Sequence, residues 1–105
     1  MDIFIDSING KSNNNGSIDS PLNNIIDIYN LTLSDDVNIY LMKGNYNLDE
    51  IFFTNLYKTT VKNIKLVGDA KNTIITISSI YPNTPGVIYD IEMSICKCII
   101  DIIGT

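Results

Sequence analysis

The sequence predicts a mainly-β chain wound as a solenoid of stacked coils and opened by one amphipathic α-helix. Short β-branched runs recur at a near-constant spacing, turn residues separate them, and a single stretch keeps a helical period.

The elements follow in order. Ile3-Phe-Ile5, bounded by Asp2 and Asp6, reads as a short strand, and Ser7 to Ser17 as a turn-rich loop holding Gly10 and Gly16. A helix is expected over about 21–31, with Ser20 as N-cap, Pro21 at the first helical position and Asp19 facing the positive end of the dipole. Leu22, Ile25, Ile26 and Tyr29 would form its apolar stripe, and Ser34-Asp35-Asp36 a turn after it.

From Val37 onward, two series of short runs interleave. Asn38-Ile-Tyr-Leu41 is echoed by Asn63-Ile-Lys-Leu66 and by Val87-Ile-Tyr-Asp-Ile91, so that Ile39, Ile64 and Ile88 stand 25 and 24 positions apart. Ile51-Phe-Phe53, Thr73-Ile-Ile-Thr-Ile77 and Cys98-Ile-Ile-Asp-Ile102 form the second series, with Ile51, Ile75 and Ile99 each 24 positions apart. A fixed advance implies coils that bury their apolar faces only by stacking. Ile39, Ile64 and Ile88 would then share one inward column, while Tyr40, Lys65 and Tyr89 face outward. This divides the chain into residues 1–36 (strand, Asn/Gly loop, capping helix) and residues 37–105 (about two to three rungs), in one continuous domain.

Composition narrows the functional classes. The chain has seven Lys, no Arg, no His and no Trp against twelve Asp plus Glu, for a net charge of −5. Nucleic-acid recognition needs Arg forks or Lys clusters, and an anionic membrane surface needs the same positive charge. The side chain best suited to proton transfer near neutral pH, and the commonest zinc or copper ligand, is missing. Cys96 and Cys98, on one face of a strand about 7 Å apart, suit a disulfide poorly and are too few for a structural zinc site. The acidic start lacks the basic region of a signal peptide, and no stretch reaches a membrane span.

Several segments resemble the N-terminal cap and first rungs of pectate-lyase-like right-handed parallel β-helix proteins. They are Ile3 to Gly10, Asn13 to Ser17, Ser20-Pro-Leu22 opening a helix, Val37 to Tyr46, and Asn63 to Asp69 with Asn72-Thr-Ile-Ile75. The resemblance covers most of residues 3–77. It implies a right-handed parallel β-helix and is unspecific for function, because the superfamily spans polysaccharide lyases and hydrolases, phage tail spikes and fibres, and bacterial surface proteins. Such helices usually continue for more rungs. The expectation is that the chain is either a fragment of a longer polypeptide or is completed by copies of itself or another subunit.

Enzymes of that superfamily use carboxylates to hold calcium or to act as acid and base. The acids here, Asp35, Asp36, Asp49, Glu50, Asp69, Asp90, Glu92 and Asp101, fall mostly at turns, and no catalytic set is expected. Asp6, Asn9, Asn13, Asn15 and Asp19 could offer oxygens to a Ca²⁺ ion, although the EF-hand order of acids is missing and Asn-rich turns explain the same residues. Tyr40, Tyr46, Tyr57, Tyr81 and Tyr89 are expected to be exposed, and Tyr40 with Tyr89 would form a carbohydrate or partner face.

The function expected is a non-catalytic structural or attachment module of a phage tail (fibre, spike or baseplate) or a related surface assembly, in the virion or at a cell surface. Its partners would be copies of itself, a trimer among the options, a larger assembly or a surface glycan, with neither nucleic acid nor membrane insertion. The alternatives are the N-terminal fragment of a polysaccharide lyase or hydrolase, and a carbohydrate-binding adhesin module.

Overall fold

A computed structural model of the chain describes residues 1–69, 71–77 and 99–104. The expectations for Tyr81, Val87–Ile91, Ile88, Tyr89, Asp90, Glu92, Cys96 and Cys98 lie outside the described residues.

Strands dominate the described residues, and every strand pair among them is parallel. β1 (Asp2–Ile5), β2 (Asp36–Leu41), β4 (Asn63–Gly68) and β6 (Ile99–Gly104) form one sheet in the order β1-β2-β4-β6, and β3 (Gly44–Leu48) pairs with β5 (Thr73–Ile77) in a second. In β1, β2 and β4 the side chains alternate between core and surface. Ile3 lies opposite Ile39, and Ile39 opposite Leu66; Val37 lies opposite Ile64. All five are buried. The outward row holds Asp2, Asn38 and Lys65 in one register and Phe4, Tyr40 and Val67 in the next.

The inward alternation agrees with the sequence expectation; the constant advance does not. Ile39 faces Leu66 rather than Ile64, a step of 27 positions, while Ile3 to Ile39 and Ile64 to Ile100 are steps of 36. A slip of two positions keeps every side chain on its own face, so patterning alone could not separate the two registers. Asp36 and Asn63 pin the observed one: Asn63 Nδ2 donates to Asp36 Oδ1 at 2.7 Å across the paired strand starts.

The expected helix over 21–31 is replaced by a bridge and a 3-10 helix. Leu22 bridges Ile5 in parallel; its N–H donates to Phe4 O (3.0 Å), and its carbonyl accepts from Asp6 N–H (2.8 Å). Phe4 N–H donates to Gly16 O at 2.7 Å. These bonds satisfy the outer edge of β1, which would otherwise stand unpaired, and they hold residue 22 in the extended conformation that a helix would forbid. Helical turns begin only at Ile25–Asn30, where Asn24 N–H donates to Asp27 Oδ2 at 2.9 Å. Three residues per turn align Ile25 with Ile28, which are buried, and leave Ile26 on the surface.

The run Ile51–Phe53, expected as a strand, is the first part of α1 (Glu50–Tyr57). Asp49 caps it, its Oδ1 accepting from Phe52 N–H at 3.1 Å. Phe52, Phe53 and Leu56 are buried, whereas Ile51 and Tyr57 are exposed. Phe52 meets Phe53 edge-on, with ring centroids 5.3 Å apart, and Tyr29 at 5.8 Å; the Tyr29 hydroxyl donates to Phe52 O at 2.8 Å. The partner of β5 is therefore β3, with Tyr46 opposite Ile75.

Gly44, at φ +142°, turns the chain from β2 into β3 with Ser7 Oγ standing where a Cβ would project. Among the described residues, no helix is long and apolar enough to cross a membrane.

Leu66 is fully buried in the shared core. Leu66→Ala is expected to lower the unfolding free energy by about 2–5 kcal/mol, read from urea denaturation.

Candidate functional site

The outward face of the first sheet carries an ordered row of polar and aromatic side chains. At the strand starts, Asn38 Nδ2 donates to Asp2 Oδ1 at 3.0 Å, one strand over from the Asn63–Asp36 pair. Two residues further along the same face, the rings of Phe4 and Tyr40 stack with centroids 4.8 Å apart and planes 17° from parallel. In-register parallel strands place such side chains side by side, which is why two Asn–Asp pairs and one aromatic pair arise from three strands. A cleft of about 330 Å³ opens at the starts of β2 and β4, lined by Asp36, Val37, Asn38, Asn63, Ile64 and Lys65. Beside it, Lys62 Nζ lies 3.7 Å from Asp35 Oδ2, an exposed ion pair worth at most about 1 kcal/mol. Chemically this face offers amide donors, carboxylate acceptors and a stacked aromatic surface.

Tyr40 sits outward, half-buried by its stack with Phe4. Its expected partner Tyr89 lies outside the described residues, and Phe4 is the ring found beside it. Phe4 was not among the expected site residues; its alternation with buried Ile3 and Ile5 places it on Tyr40's face. Tyr57 is exposed as expected.

Tyr46 is a correction: it is 2 % exposed and belongs to the core. Its hydroxyl accepts from Ser7 N–H at 3.2 Å and lies 2.8 Å from Met42 O and 3.1 Å from Ile5 O. The ends of β1 and β2 thus meet at one phenol. Tyr46 shares a strand face with buried Leu48, the local signal that assigns it inward. Burial raises its pKa above the ordinary value, against the Ser7 N–H, which favours the ionised form.

The five candidate calcium residues lie on the loop that covers β1. Asp6 Oδ1 accepts from Ile8 N–H (2.9 Å) and Asn9 N–H (3.0 Å), and Asn15 Oδ1 from Ser17 N–H (3.0 Å). Asn9, Asn13 and Asp19 are exposed. The Asn9 N–H holds the Asp6 carboxyl below its usual pKa. These are self-contained turn bonds of short polar side chains. Asp69 repeats the arrangement after β4, accepting from Lys71 N–H at 2.9 Å and Asn72 Nδ2 at 2.6 Å. Among the described residues, no three or more His, Cys, Asp or Glu side chains gather as a metal-holding group.

Tyr46→Phe keeps the ring and removes the hydroxyl from three main-chain groups, at an expected cost of about 1–3 kcal/mol. The pH dependence has a definite sign. An unfolded tyrosine ionises near pH 10, whereas the folded one resists ionisation, so this contribution is intact below about pH 10 and falls above it. Urea denaturation between about pH 8 and about pH 11 should show a steeper alkaline loss in the parent chain than in the variant.

In comparisons with known proteins, no family model matches the chain, and neither a curated protein nor a solved structure matches it.

Proposed function

We propose that this chain begins a right-handed parallel β-helix and serves as a non-catalytic structural or attachment module of a phage tail (fibre, spike or baseplate) or a related virion or cell-surface assembly, completed by copies of itself. The observation that carries the reading is the similar step from β2 to β4 and from β3 to β5. β2 runs into β3 through Met42 and Lys43, and β4 runs into β5 across residues 69–72. Each strand of the later pass lies parallel to its counterpart in the earlier one, Ile39 to Leu66 over 27 positions and Tyr46 to Ile75 over 29. Two strands advancing together at nearly equal steps are what successive coils produce, and crossovers between parallel strands of one sheet are almost always right-handed.

The segment over β1 supports a start-of-coil role, since Gly16 and Leu22 close the first strand's outer edge by main-chain bonds. This reading needs no cofactor. Sedimentation of the purified chain tests it: a discrete oligomer, a trimer for instance, is expected, and a single stable species at the chain mass of 11.7 kDa would count against it.

The Phe4–Tyr40 stack favours a second reading, in which the same face binds a glycan or a partner. A glycan array should then show selective binding that Tyr40→Ala weakens while leaving the thermal transition nearly unchanged. An array with no signal removes this reading and leaves the first intact.

A further inference from the structure

We infer that the outer edge of β3 is a strand-addition site for a short extended segment of another polypeptide, running parallel to β3 and carrying a Lys or Arg beside Asp49 and Glu50. This inference does not depend on the role proposed above.

Among the described residues, β3 has a strand neighbour on one side alone. Gly44 N–H donates to Asn72 O at 2.9 Å, so by alternation Gly44, Tyr46 and Leu48 direct their main-chain groups toward β5. Asn45 and Asn47 direct theirs the opposite way. Among the described residues, no hydrogen bond reaches the N–H or C=O of either.

A cleft of about 190 Å³ runs along this edge, lined by Asn24, Ile25, Ile26, Asn45, Tyr46, Asn47 and Asp49. It takes in the inward Tyr46 and the outward Asn45 and Asn47 together. Its far wall is the start of the 3-10 helix, which stands beside β3 without bonding to it.

The contrast with β1 makes the opening specific. The same cap region that satisfies β1 through Gly16 and Leu22 leaves the outward main-chain groups of Asn45 and Asn47 without a neighbouring strand among the described residues. Unpaired strand edges accept extended peptides through main-chain bonds, with pockets for alternate side chains.

Charge selects the occupant. Asp49 and Glu50 follow β3 at its C-terminal end, whereas Lys43 stands before its start, so a parallel strand meets negative potential toward its own C-terminal end. A second copy of this chain brings a further −5 to the contact, which disfavours self-pairing relative to a basic segment.

The test uses the full chain, labelled for amide NMR, and a short synthetic peptide of alternating Thr and Val ending in Lys. The peptide should shift the Asn45 and Asn47 amides and slow their exchange with solvent. N-methylation of the peptide residues whose N–H groups face β3 should abolish these shifts, whereas methylation of the alternate set should leave them. Glu50→Gln, at an exposed position, should weaken binding by about two- to fivefold. The proposal is overturned if both methylated peptides act alike, or if the two amides stay unmoved at saturating peptide. It is also overturned if sedimentation without peptide shows a dimer that protects the same two amides, because the edge would then belong to a second copy.

Discussion

The in-register parallel contact between β2 and β4 is the constraint from which the remaining geometry follows. Val37 on Ile64 and Ile39 on Leu66 build a dry column, and the Asn63–Asp36 hydrogen bond fixes the strand starts against slippage. Parallel neighbours cannot be joined by a tight turn, so the chain between Leu41 and Asn63 must leave the sheet and return. It does so through the Gly44 corner, β3 and α1, and those elements carry the apolar groups that cover the column from the other side. Phe52 and Leu56 of α1 and Leu48 of β3 are fully buried as a result.

The return path brings polar backbone groups to the corners, where they cannot be left dry. Tyr46 answers at one corner, joining Ser7, Ile5 and Met42 with a single hydroxyl. Asp69 and Thr73 answer at the other: Thr73 Oγ1 accepts from Asp69 N–H at 3.1 Å and lies 3.3 Å from Leu41 O. At the first strand, an irregular loop supplies the missing partner for β1. Apart from the Tyr46 phenol, each device uses a short side chain or the main chain itself, which suits a chain rich in Asn, Asp, Ser and Thr. The chemistry of this molecule is consequently one of amides, hydroxyls and carboxylates engaged in shaping turns, with an outward face that displays the same groups in rows. That display is suited to recognition by hydrogen bonding and ring contact.

What the candidate site owed to the sequence differs from residue to residue. Tyr40 was legible as an outward residue because strand alternation is a local property. Phe4 went unnoticed because its neighbour across the sheet is 36 positions away, and only the β1–β2 register brings the two rings together. Tyr46 carries a local inward signal in the strand face it shares with Leu48, but an aromatic with a hydroxyl suits either side of a strand. Its burial depends on finding three main-chain partners, and those come from segments distant in the chain. The loop oxygens of Asp6 and Asn15 were legible as turn formers, and they act as such.

Alone, the sequence determined the local facts: a β-dominated chain, strands at 3–5, 38–41, 63–66 and 73–77, alternation of core and surface along them, and acidic, Asn-rich turns between. These depend on side-chain character and a period of two, which a single segment contains. The tertiary structure decided the registers, the replacement of an expected helix by an edge bridge at Leu22, and the helix at 50–57 in place of a strand. Each of those outcomes is a competition between a segment's own preference and the unpaired groups or apolar surface of another segment. The sequence names both competitors, and only their meeting in space settles which one prevails.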